Sequence, residues 1–279
     1  MGVRRRDLLR GGIVGALVAG IALRFGTAEA RRRHPPHRRI KRRRVTPLPL
    51  VVIDPGHGGK DPGCIGIDGV MEKHVVLAVG LELRRRLLAS RRCRVMMTRS
   101  TDVFVPLQER VAFARRHRAV AFLSLHVNAS HNHAACGACV YRFGLHASDA
   151  AAAAEARWEN SADNIVRSSI AGRAQVVVHI LASLMRQETM VHSAALQRDV
   201  VQHLGQHTSL TPDATRHARF VVLTAPDIAS VLVETGFLTN QRDAALLRSR
   251  SYHIVLARAM SYAVERYVAK LPRPRRSAG

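Results

Sequence analysis

VVIDPGHGGKDPG, residues Val51 to Gly63, is a β-branched apolar run that breaks into a glycine-rich turn holding one histidine. Such a run reads as a buried strand, and the turn displays the His57 imidazole at the strand's carboxyl end. Outward from there, strand and helix signals alternate. Glu72–Ser90 repeats Val75, Val76, Val79, Leu83 and Leu87 at helical spacing. RVMMTR (Arg94–Arg99) reads as a second strand and PLQERVAFARRH (Pro106–His117) as a helix opened by proline. AVAFLSLHVNAS (Ala119–Ser130) reads as a third strand running into a loop, and CVYRF (Cys139–Phe143) as a fourth. Ser148–Leu204 is helical in composition, RFVVLTA (Arg219–Ala225) and IASVLVETGFL (Ile228–Leu238) read as late strands, and Ser251–Val268 as a closing helix. This alternation predicts an α/β fold: a three-layer α/β/α sandwich around a mostly parallel twisted sheet, with its chemistry at the carboxyl ends of the strands.

The chain has 279 residues, 47% of them hydrophobic, which suits one sizeable domain with appendages. Its formal charge of +24 is unevenly placed. Arg31–Arg44, RRRHPPHRRIKRRR, and the tail RPRRSAG hold much of it. Such blocks repel themselves, read as disordered, and suit a polyanion. Residues 1–30 read as a signal peptide, with the apolar stretch Gly11–Leu23 and the small-x-small site Ala28-Glu29-Ala30. Arg5-Arg6-Asp7-Leu8-Leu9-Arg10 resembles the twin-arginine export signal, the alternative being an ordinary secretory signal. The expected organisation is a signal over 1–30 and a basic linker over 31–49. A catalytic domain over 50–268 carries a helical insertion at about 148–204, and a basic tail fills 269–279.

Three strands end in polar residues: His57, His126 in FLSLHVNAS, and Glu234 in SVLVETGFL, while Glu72 opens the first long helix. Two imidazoles and two carboxylates on one rim are what a catalytic zinc site requires. Two nitrogens and one carboxylate oxygen hold the metal, and a second carboxylate serves as base. Taken singly, each residue has a plainer role. Glu72 could complement the helix dipole, and Glu234 could pair with an arginine.

Four blocks, VIDPGHGGKDPG, EKHVVLAVGLELRRRL with VMMTRSTDVFVPLQERVAFA, FLSLHVNAS and SVLVETGFLTN, resemble the zinc-dependent N-acetylmuramoyl-L-alanine amidases of the cell-separation type over about Leu50–Val268. That resemblance implies His57, Glu72 and His126 as ligands of one Zn2+ and Glu234 as the catalytic glutamate. It implies peptidoglycan as substrate and hydrolysis of the amide between N-acetylmuramic acid and L-alanine, in the periplasm or cell envelope, by a monomer. WENSAD resembles the regulatory segment of those amidases, in which an inserted helix covers the site and supplies a carboxylate. Glu159 is the matching candidate, and an activator protein with a degenerate metallopeptidase-like domain is the implied partner. Glu155, Glu159 and Asp163, at i, i+4 and i+8, are expected on one helical face. Two departures from the family pattern, Cys64 after DPG and Val127 after the second histidine, remove no ligand.

HNHAACGAC offers His131, His133, Cys136 and Cys139 as a second metal set, but the spacing closes a tetrahedron poorly. Two other functions compete: an exported zinc metallopeptidase on protein substrates, and a non-catalytic binder of envelope polymer. Aromatic content of 4%, with none in the arginine runs, argues against single-strand stacking, and the expected export argues more strongly against nucleic acid, although electrostatic contact with an anionic envelope stays open.

Overall fold

A computed structural model describes residues 47–165 and 187–272. The signal peptide, nearly all of the basic linker, the middle of the insertion (166–186) and the arginine tail lie outside the described residues.

Six strands form one sheet: β1 (Leu50–Pro55), β2 (Arg94–Met97), β3 (Ala121–Asn128), β4 (Ala138–Phe143), β5 (Leu210–Ala218) and β6 (Ala229–Phe237). Their order is β2-β1-β3-β6-β4-β5, and only β4 against β6 is antiparallel. The helices are α1 (Glu72–Ser90), α2 (Leu107–Arg116), α3 (Ala150–Asn160), α4 (Gln187–Gly205), α5 (Gln241–Leu247) and α6 (Arg250–Lys270).

Strand alternation sorts the core into two layers. Val51, Ile53, Leu123, Leu125, Val231 and Val233 face one side, where Val79, Leu83 and Leu87 of α1 join residues of α4 and α6. Leu50, Val52, Phe122, Tyr141 and Leu232 face the other, against Val111 and Ala114 of α2 and Ala152 and Ala156 of α3. The expected three-layer sandwich is therefore the architecture found. Covered on both faces, β1, β3 and β6 are buried at every residue, and continuous apolar runs are what such strands require.

Two expectations are corrected. RFVVLTA is not a strand: Val221–Leu223 form a 3-10 turn, and Phe220 and Leu223 plug the second core layer. The strand is the preceding segment, LTPDATRHA, which pairs only with β4 at the sheet edge and so needs no apolar run. Nor does Asp163 continue the face of Glu155 and Glu159. The α3 helix stops at Asn160, where Ser161 Oγ donates back to Trp158 O, and Asp163 lies in a 3-10 turn. There its Oδ1 accepts the Leu107 N–H at 3.0 Å, capping α2, whose own N-cap residue is a proline without a side-chain donor or acceptor.

Candidate metal centre under helix α3

The turn after β1 is shaped by what must fit around it. His57 adopts φ +55, an uncommon conformation for a residue with a side chain. Gly56 leaves room for His126: a Cβ there would lie 2.5 Å from His126 Nε2. Gly63, at φ +67, does the same for Glu72, whose Oε2 would be 2.5 Å from an added Cβ. Glu72 opens α1, and its carboxylate is fixed by backbone donors from two neighbours, Cys64 N–H to Oε2 and Val127 N–H to Oε1, both at 2.9 Å.

These elements bring His57, Glu72, His126 and Glu159 together, all buried, with one ligating atom of each within 4.8 Å of the others. Glu72 Oε1 lies 3.1 Å from both His57 Nε2 and His126 Nδ1. Glu159 Oε2 lies 3.1 Å from His126 Nδ1 and 3.5 Å from His57 Nε2. Atoms about 2.0–2.1 Å from a tetrahedral zinc sit about 3.3–3.4 Å apart, so these separations suit one small ion. His57 Nε2 also has no hydrogen-bond partner. The donor set fits a metal.

Charge in this cluster is mutually sustained. Burial disfavours charge on His57 and on Glu72, yet each holds the other ionised, with His57 raised well above its usual range and Glu72 well below. For His126, burial is outweighed by Glu159 and Glu72, raising it to about 9. Burial likewise opposes the Glu159 charge, but the two imidazoles pull its pKa down to about 2.

Glu234 stands beside this cluster on β6, paired in register with His126 on β3 and Cys139 on β4. It is fully buried, and neither carboxylate oxygen has a hydrogen-bond partner. Burial, then the nearby charges of Glu155, Glu72 and Glu159, push its pKa well above the usual range. Burial without a partner favours the neutral form of this carboxyl group. Half-buried Glu155, one turn before Glu159, is raised to about 8 by burial and then by Glu159.

Helix α3 closes the centre. With Glu159 in place, the remaining cavity is about 10 Å³, lined among others by His57, His126, Glu159, Ala162 and Val222. The helix rests on Ala152 and Ala156 and is tied at its end by Asn160, which donates to Arg219 O at 2.7 Å and accepts from Val221 N–H at 2.8 Å.

Four residues without an assigned role in the sequence reading hold the centre in shape. Asp61 Oδ2 accepts from His57 Nδ1 at 2.8 Å, turning Nε2 toward the cluster. Arg110 is buried and donates to Asp54, Pro55 O and His57 O at 2.7–2.8 Å. Arg99 donates to Pro55 O, Gly56 O and Lys73 O. Asp54 also accepts from Thr98 and Ser124. Arg110 left a trace in sequence, as a charged residue between Leu107 and Ala114 on the apolar stripe of α2.

His131, His133, Cys136 and Cys139 do not form a second centre. Cys139 is buried in β4, Cys136 is exposed, His133 Nδ1 donates to Thr239 O, and all four cysteines are free thiols. Among the described residues, His57, Glu72, His126 and Glu159 are the only such metal-ligating group.

A family model described as N-acetylmuramoyl-L-alanine amidase matches residues 51–266. The chain is 33% identical over 264 residues to the amidase AmiA of Salmonella typhimurium, covering 94% of this chain and 91% of that one. It is 38% identical over 221 residues to AmiC of Neisseria meningitidis serogroup B, covering 79% of this chain and 53% of that one. Among solved structures, the amidase AmiC2 of Nostoc punctiforme superposes with a TM-score of 0.56 at 30% identity, covering 80% of this chain and 98% of that one.

Proposed function

The chain belongs to the N-acetylmuramoyl-L-alanine amidase family, hydrolases of the bacterial cell wall, and from that premise we propose that one zinc ion, held by His57, Glu72 and His126, serves the reaction. The substrate is the peptidoglycan amide between the lactyl group of N-acetylmuramic acid and L-alanine. Bound zinc would supply Lewis acidity toward the scissile carbonyl and lower the pKa of the attacking water. Glu234 takes the proton of that water on a carboxylate oxygen and passes it to the departing amine. Asp61 keeps the His57 ring oriented, while Arg110 and Arg99 hold the carbonyls around it.

The observation that carries the reading is the convergence of two imidazoles and the Glu72 carboxylate at zinc-like separations, beside a buried carboxyl group without a partner. By the same reading Glu159 is a resting occupant of the fourth position. Helix α3 then keeps the enzyme silent until an activator protein draws it away, as suits an enzyme of daughter-cell separation. The protein acts as a monomer in the periplasm, exported on the twin-arginine signal, with the Arg31–Arg44 run holding it near an anionic envelope.

Two substitutions test the division of labour. In the Glu159→Ala background, Glu234→Gln keeps the shape and removes the base, so hydrolysis falls by at least ~10²-fold with the metal still bound. His57→Ala loses metal and activity together. Loss of metal from Glu234→Gln as complete as from His57→Ala contradicts the assignment.

A further inference from the structure

The loops leaving the three strands that bear His57, His126 and Glu234 enclose a second feature. An open groove of about 590 Å³ is lined by Ile67, His133, Thr239, Asn240, Gln241 and Arg242. Ile67 lies on the loop from His57 to Glu72, His133 on the loop after β3, and Thr239–Arg242 directly after β6. These walls are bonded to one another. Leu238 N–H donates to Asn128 O at 3.0 Å, His133 Nδ1 to Thr239 O at 3.0 Å, and Asn240 Nδ2 to His133 O at 2.8 Å. None of its lining residues belongs to α3.

The groove is electrostatically one-sided. No carboxylate lines it. Exposed Arg242 has no carboxylate within ion-pair distance among the described residues, and His133 uses only one ring nitrogen. The nearest acids are engaged elsewhere: Asp243 is buried and accepts from Gly137 N–H and Phe237 N–H, and Asp68 pairs with Arg248 at 2.9 Å. Ile67 adds an exposed apolar wall, 55% accessible.

We infer that this groove is a subsite for the stem peptide of the substrate and that Arg242 recognises a free carboxylate on it. The inference rests on the amidase reading above and specifies which part of the substrate lies where. In the substrate the muramic carboxyl group is consumed in the scissile amide, so the carboxylates reside on the peptide side of that bond. A guanidinium matches a carboxylate by paired N–H donors, which a neutral amide does not satisfy. Arg242 is therefore a specificity residue, separating stem peptides with free acids from those with amidated ones.

The test uses the full chain and two probes: L-alanyl-D-glutamate with its γ-carboxyl capped as a methylamide and its α-carboxylate free, and the same compound with the α-carboxyl amidated as well. Calorimetry on the parent should give at least a ten-fold preference for the free acid. Arg242→Gln should bind both probes alike with an unchanged melting temperature. Equal affinity of the parent for both probes overturns the inference, as does a preference that survives in Arg242→Gln. Binding of a glycan fragment at the groove in place of either peptide also overturns it. The binding arm needs no hydrolysis. Absent preference with intact cleavage of cell-wall sacculi by zinc-loaded Glu159→Ala sinks the subsite alone, and absent cleavage by both the parent and zinc-loaded Glu159→Ala with intact preference sinks the amidase reading alone.

Discussion

Replacing Glu159 with alanine should turn a resting enzyme into an active one. Helix α3 covers the centre with little apolar surface. Its buried apolar side chains are Ala152 and Ala156, whose methyl groups contribute about 0.8 kcal/mol each. Asn160 adds two hydrogen bonds and Asp163 one, each contributing about 1 kcal/mol net. Against these modest terms stands the charged contact of Glu159 with His126 at 3.1 Å, worth about 1.5–3 kcal/mol, with His57 at 3.5 Å beside it. Glu159 is therefore a major part of the closure. Its removal should raise the open population by about 10–150-fold while the closed state still dominates, since ~1.4 kcal/mol is one factor of ten. The assay is release of soluble fragments from dye-labelled sacculi without any partner protein, with metal content measured on the same samples. Faster release at unchanged metal content is expected. An equal or slower rate from a folded, metal-loaded variant refutes the closure argument, and α3 would then be an ordinary wall of the site.

Further expectations follow from the surrounding residues. Asp61→Asn leaves His57 poorly oriented and should weaken metal affinity by about 10–100-fold, read by competition with a chromogenic chelator. Asp54→Asn strands the buried Arg110 guanidinium and should lower unfolding stability by about 3–5 kcal/mol in urea titration. Burial raises the Asp54 pKa, but Arg110 and its other donors lower it further, so the folded value lies below the unfolded one. Its contribution is thus present above about pH 4 and is lost as pH falls through the depressed folded value, a loss that Asp54→Asn should not show. Replacing Arg5 and Arg6 with lysine keeps the charge but removes the guanidinium pair, so export should stop; normal periplasmic accumulation points to the general secretory route.

The most legible parts of the chain are those whose environment is uniform. β1, β3 and β6 are buried on both faces, so their sequences are unbroken apolar runs, and a polar residue at the end of each stands out. His57, His126 and Glu234 were visible for that reason, and Glu72 because it opens a helix with clear periodicity. LTPDATRHA was not legible as a strand, because an edge strand with one exposed face carries proline, aspartate and arginine without penalty. RFVVLTA misled in the opposite sense, since a buried 3-10 turn needs the same apolar residues as a buried strand. The extrapolation from Glu159 to Asp163 assumed that α3 continues, whereas Ser161 ends it with a local bond to Trp158 O and Asn160 is drawn to Arg219 and Val221. Arg99 and Arg110 act through backbone carbonyls far away in sequence, and Asp61 reaches the His57 ring only because the glycine turn folds back on itself. Their roles are set by tertiary geometry, which no spacing rule reveals.

The central claim is that one zinc ion at His57, Glu72 and His126 is required for hydrolysis of the muramoyl amide. The most direct measurement strips the parent and Glu159→Ala with chelator, returns zinc in steps, and records bound metal and sacculus hydrolysis on the same samples. The account predicts no hydrolysis without metal, and a rate in Glu159→Ala that rises with bound zinc and levels off at one ion per chain. Undiminished hydrolysis by metal-free Glu159→Ala would contradict it.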